Sequence, residues 1–203
     1  MTLIGTQAPD FTARAVIGED FVDYKLSNNW KNGKYTVLFF YPKDFTFVCP
    51  TELLAFNRRL KEFEGKNCQV VSVSTDTEFV HLAWKSTPVD AGGVGDIQYP
   101  MVADTTKAIS EAYDVLHPED KVAFRGLFLI DTSGVVRHMV VNDMPLGRSV
   151  DEALRMLDAL QFHETHGEVC PADWREGDAT IKPNPKDSKE YFRQAATVTV
   201  RNK

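Results

Sequence analysis

Residues 35–74 constrain the fold of this chain more than any other stretch. Residues 35–41 form an unbroken apolar run of β-branched and aromatic residues, as a central strand does. Further on, Leu53, Phe56, Leu60 and Phe63 fall on one helical face, while Asn57, Arg58, Lys61 and Glu62 fall largely elsewhere. Gly65 is read as the stop of that helix. A second short apolar run, Cys68–Ser74, follows. Strand, helix, strand in this order implies a right-handed parallel crossover, and so an α/β chain.

The crossover carries a cysteine at the helix start. Cys49 lies between the first run and the helical pattern, at or inside the first helical turn. Backbone N–H groups there lack intrahelical partners, and the helix dipole favours an anion. Thiolate is the reactive form of cysteine, so the position suits a nucleophile. Cysteine is also among the most buried residue types, and a core filler is the ordinary alternative. Pro42, Thr46 and Pro50 argue against that alternative, because a filler has no need of a stiff polar loop. A thioredoxin-type pair would need a cysteine three positions on, where Glu52 stands.

The rest of the chain fills out the same class. Residues 8–16 read as an edge strand with Pro9 at its start, and residues 28–34 as a turn-rich bridge. Thr75 with Glu78 resembles a capping box opening a helix that carries Phe79, Leu82 and Ala83, with Pro88 beyond its end. Residues 91–95 begin a loop, 99–103 a short strand, and 105–113 a short helix. Residues 126–130 and 135–141 flank the turn 131–134 as a hairpin. Ser149 with Glu152 opens a helix whose buried face is Val150, Leu154, Leu157 and Leu160. From about Glu164 charge and proline dominate, around Cys170 and Trp174. That segment reads as an extended arm too polar for a core of its own. Four or five strands with a mixed-direction hairpin make a thioredoxin-like fold the expectation: a central mixed β-sheet flanked by helices, with a C-terminal extension. The boundaries are 1–163 for the domain and 164–203 for the arm.

A formal net charge of −6 without a long basic run disfavours nucleic acid and anionic membranes as partners. The first residues lack the basic and apolar regions of a signal peptide, which points to the cytoplasm. Three cysteines, Cys49, Cys68 and Cys170, argue against a static disulfide framework. Cys68 lies in an apolar strand and reads as a core residue. His163, His166 and Cys170 lack a fourth ligand at suitable spacing, so no metal is expected. The glycines at 92, 93 and 95 are followed by no Lys-Ser or Lys-Thr and form no phosphate loop. His81 and Trp84, three apart, read as packing, with Trp84 a further candidate for lining the site.

The segment YPKDFTFVCPTE closely resembles the active-site segment of the peroxiredoxins, in particular the typical two-cysteine, alkyl hydroperoxide reductase C type. The family pattern Pro-x-x-x-Thr-x-x-Cys is met by Pro42, Thr46 and Cys49. The likeness continues through FRGLFLID around Arg125, NDMPLGRSVDE around Arg148 and HGEVCPADW around Cys170. It implies an antioxidant peroxidase acting on hydrogen peroxide and alkyl hydroperoxides, with no cofactor or metal of its own. It implies that Cys49 is the peroxidatic thiolate and becomes a sulfenic acid. Thr46 and Arg125 would hold the sulfur and the peroxide oxygens, and Pro42 would shield them from water. Glu52 and Arg148 would complete a charge network that orients Arg125. Cys170 would be the resolving thiol, forming an interchain disulfide with Cys49 of the partner subunit. Thioredoxin or a flavoprotein reductase would then reopen that disulfide. The resemblance also implies a homodimer assembling into a decameric ring, with Phe45 and Phe79 candidates for its interface.

Ionisation alone falls short of what this chemistry needs. A free thiol is roughly 3% ionised at pH 7, so complete ionisation gains only about 30-fold, or about 2 kcal/mol. Lowering the thiol's pKa also weakens the nucleophile. Fixed donors such as Arg125 and Thr46 would supply the rest by stabilising charge on the departing oxygen. The GGVG loop and Tyr191-Phe192 are similar to the pair in peroxiredoxins that inactivate readily at high peroxide, although this chain continues to Lys203. Two other readings are a ring that holds unfolded clients or relays oxidation by disulfide exchange, and a general thiol-disulfide oxidoreductase. The absence of a CxxC pair argues against the second.

Overall fold

The computed structural model describes residues 2–201, with side chains to residue 194; Asn202 and Lys203, the end of the tail, lie outside the described residues. Seven strands form one mixed sheet: β1 Thr12–Ile17, β2 Asp20–Lys25, β3 Tyr35–Phe40, β4 Cys68–Ser74, β5 Met101–Ala103, β6 Arg125–Ile130 and β7 Val136–Asn142. Their order is β2-β1-β5-β4-β3-β6-β7. The helices are α1 Asn28–Lys31, α2 Cys49–Arg58, α3 Leu60–Gly65, α4 Glu78–Ser86, α5 Ala108–Ala112, α6 Val150–His166 and α7 Ser188–Arg201, with a 3-10 turn at Val89–Ala91. The chain divides into two compact units, Met1–Val150 and Asp151–Lys203, so most of α6 groups with the C-terminal segment. Among the described residues no helix is long and apolar enough to cross a membrane.

The crossover forms as its apolar pattern requires. β3 pairs in parallel with β4, Val37 opposite Val70, and antiparallel with β6, Val37 opposite Leu129. Residues 36–40 are buried. Thr36 is tolerated there because its hydroxyl accepts from Asn29 Nδ2 at 3.1 Å. Leu53, Phe56 and Phe63 are fully buried, and Leu60 is nearly so.

Several elements differ from the sequence reading. The sheet has seven strands, not four or five. The edge strand on this side of the sheet is β2, in which charged residues are mixed with Phe21, Val22 and Tyr24; β1 starts at Thr12 and lies between β2 and β5. The bridge at 28–34 contains the single turn α1, on whose inner side Asn29 bonds Tyr24 and Thr36. One expected helix is two, divided at Arg59, whose N–H reaches the Phe56 carbonyl three residues back. The apolar face runs through the break, so periodicity alone does not reveal it.

α4 begins two residues later than expected. Its cap is Thr77, whose hydroxyl accepts from Val80 N at 3.3 Å. Its buried residues are His81, Trp84 and Lys85, while Phe79 is exposed. The Lys85 ammonium is held by the Gly18 and Ile97 carbonyls at 2.6 and 2.8 Å, which lets a cation replace the expected Leu82 and Ala83.

The arm is not extended throughout. In the second unit Val169 and Ile181 exchange backbone hydrogen bonds, and α7 runs from Ser188 to Arg201. Trp174 is 2% exposed and packs at a tilt against Phe162 of α6, with ring centroids 5.0 Å apart. A tryptophan and one aromatic partner supply an anchor that composition alone hides.

Candidate active site

Cys49 is the first residue of α2 and is fully buried. Val48 caps the helix without a side-chain bond, and Pro50 follows, where a missing N–H costs nothing. β6 begins at Arg125, and this places the guanidinium over the sulfur. Arg125 Nη1 lies 3.5 Å from Cys49 Sγ. The same nitrogen donates to Glu52 Oε2 at 2.7 Å, and Arg125 Nε donates to the Met144 carbonyl at 2.6 Å. The guanidinium is thus fixed from two sides before any substrate arrives.

Glu52 is one helical turn after Cys49 and 3% exposed. Arg148 holds it with three donors: its backbone N and Nε to Oε1, and Nη2 to Oε2, each at 2.8 Å. Arg148 Nη1 donates to the Gly126 carbonyl at 2.6 Å, and its Cζ lies 5.2 Å from the Phe39 ring centroid. Burial pushes the Glu52 carboxyl up, but Arg148, then Arg125, outweigh it and hold the group below the usual carboxylate range. Two buried guanidiniums against one carboxylate leave one positive charge beside the sulfur, which a thiolate neutralises.

Thr46 and Pro42 frame the same loop. Thr46 is half-buried, and its hydroxyl donates to the Lys43 carbonyl at 2.8 Å rather than to the sulfur. With its O–H committed there, the Thr46 oxygen can still accept a hydrogen bond. Pro42 is buried. Phe45 takes a left-handed backbone, φ +55°, which a bulky residue rarely adopts. Its half-exposed ring packs on Trp84, 5.8 Å between centroids. Trp84 also packs on Tyr41 and donates from Nε1 to the Gly92 carbonyl at 2.8 Å, tying the GGVG loop to α4.

Beneath this loop lies a buried network that sequence reasoning missed. Asp44 Oδ1 accepts from the Tyr41 hydroxyl at 2.7 Å, and Asp44 Oδ2 lies 2.7 Å from His81 Nδ1. His81 Nε2 faces the Val102 carbonyl at 3.2 Å. The Asp44 N–H donates to Asp76 Oδ2 at 2.9 Å, and Asp76 also accepts from Ser74. Burial pushes the Asp44 carboxyl up, against the pull of His81. A His facing an apolar helix side was the available signal, and it reads as packing until its carboxylate partner is placed.

All three cysteines are free. Burial pushes the Cys68 thiol up to about 12, so it is chemically quiet. Cys170 belongs to the second unit, where its thiol is partly exposed and donates to the Ala159 carbonyl at 3.6 Å. His163 and His166 turn their Nδ1 atoms to the backbone carbonyls of Glu168 and Phe162.

A buried cysteine at a helix N-terminus, under a fixed guanidinium on a thioredoxin-like sheet, is an arrangement that thiol-based redox chemistry can use. The comparisons agree and are more specific. Residues 4–139 match the AhpC/TSA family, and residues 159–194 match the C-terminal domain of 1-Cys peroxiredoxin. In this chain the second stretch carries Cys170. Peroxiredoxin-2 of Mus musculus is 55% identical over 93% of this chain and 94% of its own. Alkyl hydroperoxide reductase C of Helicobacter pylori is 55% identical over 95% and 97%. The reduced crystal structure of the Plasmodium vivax 2-Cys peroxiredoxin superposes with a TM-score of 0.91 at 44% identity, covering 95% of this chain and all of that one. The chain belongs to the AhpC/TSA family, the peroxiredoxins, and is a thiol-dependent peroxidase.

Proposed function

We propose that Cys49 reduces hydrogen peroxide and alkyl hydroperoxides by direct attack on the O–O bond. The sulfur's electron pair forms an S–O bond, the O–O bond breaks, and the departing oxygen leaves as water or an alcohol after taking a proton. Cys49 is left as a sulfenic acid. The observation that carries this reading is Arg125 Nη1 at 3.5 Å from Sγ while Glu52 and Met144 hold it. A donor fixed in that position can follow the negative charge from sulfur to the departing oxygen without reorganising. The Thr46 oxygen, whose own O–H is donated to the Lys43 carbonyl, accepts a hydrogen bond from the hydroperoxide O–H and orients the substrate.

Cys170 of a partner subunit then forms the interchain disulfide with Cys49, and thioredoxin or a flavoprotein reductase reopens it. This step rests on the likeness around Cys170. The dimers associate into a decameric ring, and the exposure of Phe45 and Phe79, 52% and 66%, suits them to its interface. The residue 164–203 segment is the arm that delivers the resolving thiol. Three free cysteines suit a reducing compartment such as the cytoplasm, where the protein serves peroxide detoxification.

The test is a single-turnover peroxide assay followed by non-reducing electrophoresis. Cys49→Ser should abolish peroxide consumption. Cys170→Ser should still consume one equivalent and form no interchain disulfide. Undiminished peroxide consumption by Cys49→Ser would overturn the assignment. Holding of unfolded clients that survives Cys49→Ser would instead mark an independent chaperone function.

A further inference from the structure

Cys170 lies in a turn fastened to α6 at three points. Its thiol donates to the Ala159 carbonyl at 3.6 Å. Four residues on, the Trp174 carbonyl accepts from Arg155 Nη1 at 3.1 Å. The Trp174 ring packs at a tilt against Phe162, and its Nε1 donates to the Asp178 carbonyl at 3.1 Å. Arg155 and Ala159 are one helical turn apart, so the guanidinium and the thiol's acceptor sit on the same stretch of α6.

This seat opposes the chemistry a resolving thiol must perform. The sulfur must lose its proton before it can attack. A carbonyl acceptor favours the S–H form, and burial pushes the thiol up further. Arg155 pulls the other way. Its Nε and Nη2 fork onto Glu152 at 2.6 and 2.7 Å, and Asp173 also bears on it. Glu152 is 46% exposed and therefore well solvated, so it leaves part of the guanidinium charge uncompensated. Glu168 takes the Thr180 hydroxyl, and His163 faces the Glu168 carbonyl.

We propose that Arg155 is a positioning residue for the resolving step, holding the Cys170 turn on α6 and supplying the positive charge under which Cys170 ionises. The proposal rests on Cys170 being the resolving thiol. In that step the Cys170 electron pair forms the S–S bond while the S–O bond of the Cys49 sulfenic acid breaks. The departing hydroxide recovers the proton that Cys170 gave up, so sulfenic acid and thiol yield disulfide and water.

Two measurements on the full chain test it. In the first, wild type, Arg155→Gln and Arg155→Lys each receive one equivalent of hydrogen peroxide, and disulfide formation is timed across pH. In the second, Cys170 alkylation by iodoacetamide is followed by peptide mass in a Cys49→Ser background. With Arg155→Gln both processes should be about tenfold slower near neutrality and should converge on wild type at high pH. Arg155→Lys, which keeps the charge and loses the fork, should keep the wild-type pH profile. A deficit equal at every pH, or the same upward displacement in both variants, overturns the proposal by leaving Arg155 only a fastening. If Arg155→Gln fails to fold, the Arg155→Lys profile decides: retention supports the charge, displacement refutes it. If wild type forms no Cys49–Cys170 bond, the resolving role itself has failed, and the alkylation profile still judges Arg155.

Discussion

At the residue scale, two guanidiniums converge on Glu52 where water is nearly excluded. Deleting the carboxylate would leave two like charges buried together, a loss of about 3–5 kcal/mol. Glu52→Gln should therefore lower the urea midpoint sharply and slow peroxide reduction as Arg125 loses its anchor. The pH dependence follows from the sign of the shift. Glu52 titrates below its ordinary value of 4.5 in the folded chain, so the unfolded chain binds more protons between the two values. Its contribution is whole above about pH 4.5 and is lost as pH falls through the lower, folded value. The stability gap between wild type and Glu52→Gln, followed by urea unfolding into the acid range, should close in that window. Cys68 gives the opposite kind of expectation. Iodoacetamide near neutrality should spare it in the folded chain and modify it once urea exposes β4.

At the element scale, the loops beside α4 are set by close approaches. A Cβ built on Gly93 would sit 1.8 Å from the Thr87 carbonyl oxygen, and the Gly93 N–H donates to the Pro88 carbonyl at 2.9 Å. Gly93→Ala must push these backbones apart and pull Gly92 off Trp84. Thermal unfolding should show a loss of at least about 1–3 kcal/mol. Thr77→Ala removes only the α4 cap and should cost about 1 kcal/mol. Thr75→Ala should cost less, since the helix does not begin there. That pair of variants tests the corrected start of α4.

At the scale of the whole molecule, exposed apolar side chains carry the expectations about assembly. Phe79 packs edge-on against Phe21, 5.0 Å between centroids, and is otherwise open to solvent. Phe79→Asp should therefore leave unfolding of the subunit nearly unchanged while sedimentation shows smaller assemblies. The tail allows a second check. Chains ending before Tyr191 should tolerate more peroxide, because local unwinding around Cys49 would compete better with further oxidation. Unchanged inactivation would remove any role for the tail.

The sequence alone determined the parallel crossover and the position of Cys49 at a helix start. Both depend on local periodicity and on chain order, which are written directly in residues 35–74. The motif likeness further singled out Arg125, Glu52 and Arg148 for one charge network. Only the tertiary structure decided how they meet. Arg125 and Arg148 are far from Glu52 in the chain; the pairing of β6 with β3 brings Arg125 to it, and Arg148 is held there through the Gly126 carbonyl of β6. The Asp44–His81 pair stayed hidden for the same reason. A buried polar group looks like any other polar residue until the fold supplies its partner and removes the water around it.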